Sequence, residues 1–142
     1  TEIESLQNGQ GVEIVGVGKY NGKIGQCEVW RDLITPISAI SLYNYNDKFY
    51  NDKSCITLNE YGKGKVYYVG AGVNDEILKD IAKEIVIDKS IHYIESDEGL
   101  EVYRRRFSGS EYLIITNHTD EIKSFVDTIL SPYESKIIKN YI

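Results

Sequence analysis

The 142-residue sequence has no methionine, two prolines, one tryptophan, two histidines and two cysteines, and no apolar run approaches the ~20 residues a bilayer crossing needs. Each scarcity removes a class of function. The lack of Met and the opening on Thr1, with no charged-then-apolar leader, predict a processed chain or a piece excised from something longer. Without a membrane span the chain is expected to be soluble, and nothing signals an oxidising compartment, so a cytoplasmic location is expected. Cys27 and Cys55 fall in predicted strands without other Cys or His at metal-ligand spacing. That argues against a zinc centre and predicts buried thiols, with a disulfide between them left open. His92 and His118 accompany no Gly-x-Ser-x-Gly nucleophile elbow, so a Ser-His or Cys-His constellation is not expected. Basic residues are outnumbered, the formal net charge being −6. Counterion release needs clustered Lys and Arg, so neither a nucleic acid nor an anionic membrane is an expected partner. The one basic run, Arg104-Arg105-Arg106, lies in an alternating strand whose members point to opposite faces.

What is present is enough apolar residue, 42%, for one modest domain or two small ones. The chain is organised around Ser54 to Gly72. Ile56, Thr57 and Leu58 precede, and Val66 to Val69 follow, the turn Tyr61-Gly62-Lys63-Gly64, where Gly62 and Gly64 supply the positive φ a hairpin needs. After Gly70-Ala71-Gly72, Asn74 or Asp75 caps a predicted helix. Its apolar positions Ile77, Leu78, Ile81, Ala82, Ile85 and Val86 form one stripe at the helical period. A strand feeding a one-faced helix through a glycine loop predicts an α/β layer.

Upstream, Val12, Ile14, Val15 and Val17 form a weak strand pattern, Ile24 to Trp30 a second, closed by Asp32 to Pro36, and Ala39 to Tyr45 a third. Gly16-Val17-Gly18-Lys19 lacks the remaining positions of a phosphate or dinucleotide loop and reads as a strand connection. Downstream of Asp88 to Ser90 the helical period ends. Five alternating segments follow, Ile91 to Glu95, Leu100 to Phe107, Tyr112 to Asn117, Ile122 to Asp127 and Ser135 to Asn140, predicting a small antiparallel sandwich or open barrel. The expected domains are therefore residues 1–89 and 90–142, with Leu100, Val102, Leu113 and Ile115 as the core of the second. Twelve tyrosines suit packing and interfaces better than a sugar-stacking platform. Glu28, Glu60 and Glu101 read as solvated or ion-paired, and Asn117-His118-Thr119 as a turn rather than a glycan acceptor. No catalytic centre and no cofactor are predicted.

Three blocks in order carry a resemblance. Trp30-Arg31-Asp32 through Ile40-Ser41-Leu42-Tyr43, Phe49-Tyr50 and Ser54 to Gly70 resembles the end of the trimerisation domain of the family 42 glycoside hydrolases, the β-galactosidases. Gly99 to Arg105, Tyr112 to Thr119 and Leu130 to Glu134 are similar to their small C-terminal β domain. The resemblance implies a partial amidotransferase-like, flavodoxin-like α/β layer followed by a β domain. It also implies a homotrimeric parent that hydrolyses terminal β-D-galactosides with retention. The family's catalytic glutamates belong to a (β/α)8 barrel this chain does not contain, so no catalytic residue is carried over and the barrel is instead an expected packing partner. An independent carbohydrate-binding module using exposed tyrosines is the alternative.

Overall fold

Short turns join strand to strand through the first half of the chain, and antiparallel geometry follows from them. The computed structural model describes residues 2–7 and 10–139, and the chain divides into two units, residues 1–85 and 86–142. The first unit contains Glu2–Ser5 (β1), Val12–Gly16 (β2), Ile24–Leu33 (β3), Ile40–Tyr45 (β4), Ser54–Tyr61 (β5), Gly64–Val69 (β6) and Ala71–Val73 (β7), and Asp75–Asp88 (α1) begins in it. Pairing runs β3-β2-β4-β5-β6, and β7 continues β6 beyond Gly70 to pair with β3. The ladder thereby returns to its starting strand and forms a closed barrel. Gly70 is the junction: its N–H donates to the Cys55 carbonyl at 2.8 Å and its carbonyl accepts the Asp32 N–H at 2.6 Å.

Every pairing in this sheet is antiparallel, so the expected flavodoxin-like layer is replaced by a barrel. The reason is connection length. Parallel neighbours need a crossover of a dozen or more residues, usually a helix. Here the longest connection between β2 and β7 is residues 46–53, and the α-helix comes after all seven strands. β3 runs past the predicted end at Trp30 to Leu33, because a bulge between Glu28 and Arg31 changes its neighbour from β2 to β1. Val29 takes the strain of that bulge at φ 69°.

The core of this unit gathers Ile14, Cys27, Leu33, Leu42, Tyr43, Tyr45, Cys55, Ile56, Leu58 and Ala71 from the strands, with both thiols free. Ile77 and Ile81 of α1 join this core, while Leu78 is 43% exposed and Ala82 also faces solvent. The predicted stripe is thus narrower than its sequence pattern. Ile77, Ile81 and the half-buried Ile85 repeat at four residues and define the seam, and Leu78, about 60° from its middle, falls at its margin. Asp75 and Glu76 in the first turn oppose the helix dipole favourably. Glu84 accepts hydrogen bonds from Tyr67 Oη at 2.7 Å and from Tyr20 Oη and Lys19 Nζ, fastening α1 to the barrel wall.

A second fastening lies at Arg31, which is 7% exposed. Its guanidinium reaches Glu4 of β1 and Asp47 at 2.9 Å each and lies 4.7 Å from the Tyr50 ring centre and 5.5 Å from that of Tyr45. Tyr50 Oη in turn donates to Glu4 at 3.0 Å. A buried guanidinium must be paired to offset its lost hydration, and the pairing here pins β1 and the 46–53 connection to β3.

The second unit holds Leu100–Phe107 (β8), Ser110–Asn117 (β9), Lys123–Phe125 (β10), Thr128–Leu130 (β11) and Ser135–Lys139 (β12). β12-β9-β8 form one antiparallel sheet and β10-β11 a separate hairpin, rather than the sandwich or open barrel expected. Leu100, Leu113, Ile115 and Leu130 are buried together, with Val102, Phe125, Ile94 and Ile138 packed against them. The predicted strand 122–127 breaks at Val126-Asp127, where Val126 has φ 51°, and doubles back as β11. The predicted strand 91–95 is irregular, because Ile94 turns onto this core instead of pairing. Asn117, 1% exposed, accepts the Thr119 N–H at 3.0 Å and donates to the Glu121 and Ser131 carbonyls at 2.7 and 2.9 Å. Its amide is a turn organiser and is not presented to solvent.

Three outcomes follow from this packing. Gly62 has φ +59° and open space around it, whereas Gly64 lies outside the left-handed region, the pattern of a II′ turn with one obligatory glycine. Gly62→Ala should cost about 1 kcal/mol, and Gly64→Ala should stay within roughly 0.5 kcal/mol, both read from denaturant midpoints at constant m. At Gly72 an added Cβ would lie 2.4 Å from the Glu28 carbonyl oxygen. Gly72→Ala is expected to cost about 1–3 kcal/mol by forcing β7 off β3, with loss of amide-exchange protection concentrated on those two strands. The third outcome concerns pH. Arg31 holds the Asp47 carboxyl below its ordinary 3.8, so this contribution is complete above the unfolded value and is lost as pH falls through the depressed folded one. Melting temperature should therefore fall as pH is lowered below about 4, and Asp47→Asn should be less stable at pH 7 with a flatter acid limb.

Candidate functional site

Alternation along the β5–β6 hairpin decides what the first unit shows to its surroundings. Asn59 pairs with Val66 and Thr57 with Tyr68, so Thr57, Asn59 and Tyr61 of β5 share one face with Val66 and Tyr68 of β6, a face that is buried at Cys55 and Thr57 and opens to solvent towards the hairpin tip. Tyr61 is 82%, Val66 56% and Tyr68 47% exposed. Beside them Ser38, Ile40, Leu58, Asn59, Glu60 and Tyr61 line a shallow depression of about 550 Å3. The result is an aromatic and aliphatic face on a paired ladder, and Ile40, exposed as well, pairs with Leu58 on the opposite side of β5.

Tyr68 is held from behind. Its hydroxyl donates to Asp32 Oδ2, and that carboxylate, 3% exposed, keeps the phenol above its ordinary pKa. Asp32 also gives its N–H to Gly70 and takes the Tyr45 hydroxyl on its carbonyl at 2.9 Å. One residue therefore ties the outer ring to the closure of the barrel. Asp32 Oδ1 and the Tyr43 hydroxyl are the buried side-chain polar atoms without a partner among the described residues. Sequence reading treats Asp32 as the end of a strand. The available signal is that a carboxylate two residues beyond the β3 bulge, followed by Leu33 and Ile34, is placed where burial is expected.

The residues singled out from sequence do not converge. Gly62 and Gly64 lie at one tip of the first unit, Ile77 and Ile81 in its core, Leu78 on its surface. Leu100, Leu113 and Ile115 are buried in the second unit, with Val102 half-buried beside them. These positions shape the two cores and do no chemistry. Burial pushes the Cys27 and Cys55 thiols up, away from thiolate. His118 meets Glu101 at 2.9 Å on an exposed edge with no nucleophile in the contact. Glu111, the carboxylate held low by Arg106 and Arg104, is an ion-pair partner.

The family model described as the β-galactosidase trimerisation domain matches residues 1–92. β-Galactosidase BgaA of Clostridium cellulovorans is 35% identical over 105 residues, 73% of this chain and 16% of that protein. β-Galactosidase BgaP of a Planococcus species is 31% identical over 136 residues, 94% of this chain and 20% of that one. Among solved structures, the β-galactosidase of Rahnella sp. R3 superposes with a TM-score of 0.83 at 23% identity, covering 99% of this chain and 23% of its own. That of Bacillus circulans sp. alkalophilus gives 0.80 at 22% identity, over 99% and 24%. The chain spans between 16% and 24% of the length of these relatives. It belongs to the family 42 β-galactosidases, and residues 1–92 are matched by their trimerisation domain.

Proposed function

We propose that this chain is a non-catalytic, assembly-supporting region of a β-galactosidase that hydrolyses terminal β-D-galactosides with retention. In this reading residues 1–89 supply the oligomer contact and residues 90–142 form a terminal β domain, both serving a catalytic (β/α)8 barrel carried elsewhere in the polypeptide. The observation that carries it is the trimerisation-domain match over residues 1–92. It coincides with the unit that presents Tyr61, Val66 and Tyr68 on a closed ladder. Apolar side chains held on a stiff scaffold are what an obligate contact needs, since little conformational entropy remains to be lost on association. A cytoplasmic location is part of the proposal, as are the absence of a cofactor and of nucleic-acid or membrane partners. The helix among the described residues is too short and too polar to cross a membrane.

A sugar-binding module would need tyrosine faces open to solvent. Tyr20, Tyr43 and Tyr45 are buried while Tyr61, Tyr68, Tyr93 and Tyr133 are exposed, and what favours the assembly reading is the trimerisation-domain match over residues 1–92.

Light scattering over a concentration series provides the test. The purified chain should approach three times its 16.2 kDa mass, and Tyr61→Asp with Val66→Asp should shift it to the protomer without altering its melting temperature by more than a few degrees. A strict monomer at every concentration refutes an assembly surface within these residues, and turnover of a nitrophenyl β-galactoside by the chain alone refutes the non-catalytic assignment.

A further inference from the structure

Independently of the oligomer proposal, β8 is the outer strand of the second unit's sheet, and the phase of its hydrogen bonds can be read. His118 N–H donates to the Gly99 carbonyl at 2.8 Å, so Gly99 faces β9 and Leu100 faces away. Leu100 confirms this: its N–H goes to the Asp97 carbonyl at 3.0 Å and its carbonyl accepts the Ser96 hydroxyl at 2.9 Å. With the strand period of two, the N–H and C=O groups of Val102, Arg104 and Arg106 point away from β9 as well. They point at a groove of about 450 Å3, walled by Val102, Tyr103, Arg104 and Arg106 on one side and His92, Tyr93 and Ile94 on the other.

The neighbouring segment 91–95 is strand-like in sequence and close enough to fill this edge, yet it does not. The turn from Asp97 to Leu100 would place Glu95 opposite Val102 and Tyr93 opposite Arg104. Because side chains alternate, that register would turn Ile94 away from the face on which Val102 meets the core. Ile94 is instead packed on that core. Its burial, worth roughly 1.5–3 kcal/mol for a side chain of this size, holds the segment off the edge and the groove open.

We propose that the β8 edge is a strand-addition site for an extended acidic peptide segment, with the acidic residues at the Arg104–Arg106 end. Two observations select that occupant. The backbone groups of three alternate residues span about 14 Å at the strand rise, which suits four or five extended residues. Charge is the second. Arg104 and Arg106 share the single carboxylate of Glu111, at 3.0 and 2.7 Å, and Arg105 lies over Tyr103. Three guanidinium groups against one carboxylate leave this end positive within an acidic chain, while Glu95, Asp97 and Glu98 make the Leu100 end negative.

The experiment is an NMR titration of the 15N-labelled chain with a capped six-residue peptide of alternating Val and Glu. Controls are the same peptide with Lys for Glu and one N-methylated at alternate amides. At ten times Kd the Val102, Arg104 and Arg106 amides should gain about tenfold exchange protection. Arg106→Glu, whose side chain is 78% exposed in the parent residue and so leaves the fold intact, should weaken binding at least about fivefold. No protection at about 1 mM peptide, or equal binding of the Lys peptide, overturns the proposal. So does a shift of the same amides by lactose alone, which would make the groove a sugar site.

Discussion

Two backbone hydrogen bonds at Gly70 set the architecture of the first unit. By taking the Asp32 amide on one side and giving its own to Cys55 on the other, this residue turns β6 and β7 into one continuous strand that touches both β5 and β3. A sheet closed in this way has no long free edge through its middle, so its backbone groups are satisfied internally and its face can be aromatic without inviting edge pairing. The requirements propagate outward. β3 must serve β2, β1 and β7, which it does only by bending at Val29. Gly72 must lie against the Glu28 carbonyl, which only a residue without Cβ permits.

The charged groups act as fasteners on this frame. Arg31 between two tyrosine rings and two carboxylates, and Glu84 between two tyrosine hydroxyls and a lysine, fix β1 and α1 to the barrel. Of the two, Arg31 matters more, because it is nearly buried and an unpartnered guanidinium there would be costly. Lys19 is largely solvated, so its share of the Glu84 contact is small. Asp32 connects this frame to the exposed Tyr68, since the carboxylate that holds that ring belongs to the residue whose amide closes the barrel.

A protein region can serve an enzyme without touching its substrate. The first unit offers a partly aromatic face, on which the assembly proposal rests. The second unit offers an unpaired strand edge with a charge gradient, which suits a weak and exchangeable contact. The two surfaces differ because one sheet closes on itself and the other, with three strands, is too small to do so.

Much of this is legible in the chain itself. The 54–69 hairpin, the helix from Asp75, the strands at 100–107 and 135–139 and the Asn117 turn follow from local patterns: alternation, helical period and turn chemistry act over a few residues. So does the family, because its motifs are contiguous blocks of sequence. Three things were decided only by tertiary structure. Ring closure joins β3 to β7 across some forty residues of chain, and no local preference encodes which distant strand completes a ladder. The rotation of α1 that exposes Leu78 was set by the barrel it packs on, not by the helix pattern, which admits either face. The failure of 91–95 to pair came from competition between an edge hydrogen-bond ladder and the burial of Ile94, which joins Val102, Phe125 and Ile138 in covering the small core of Leu100, Leu113, Ile115 and Leu130.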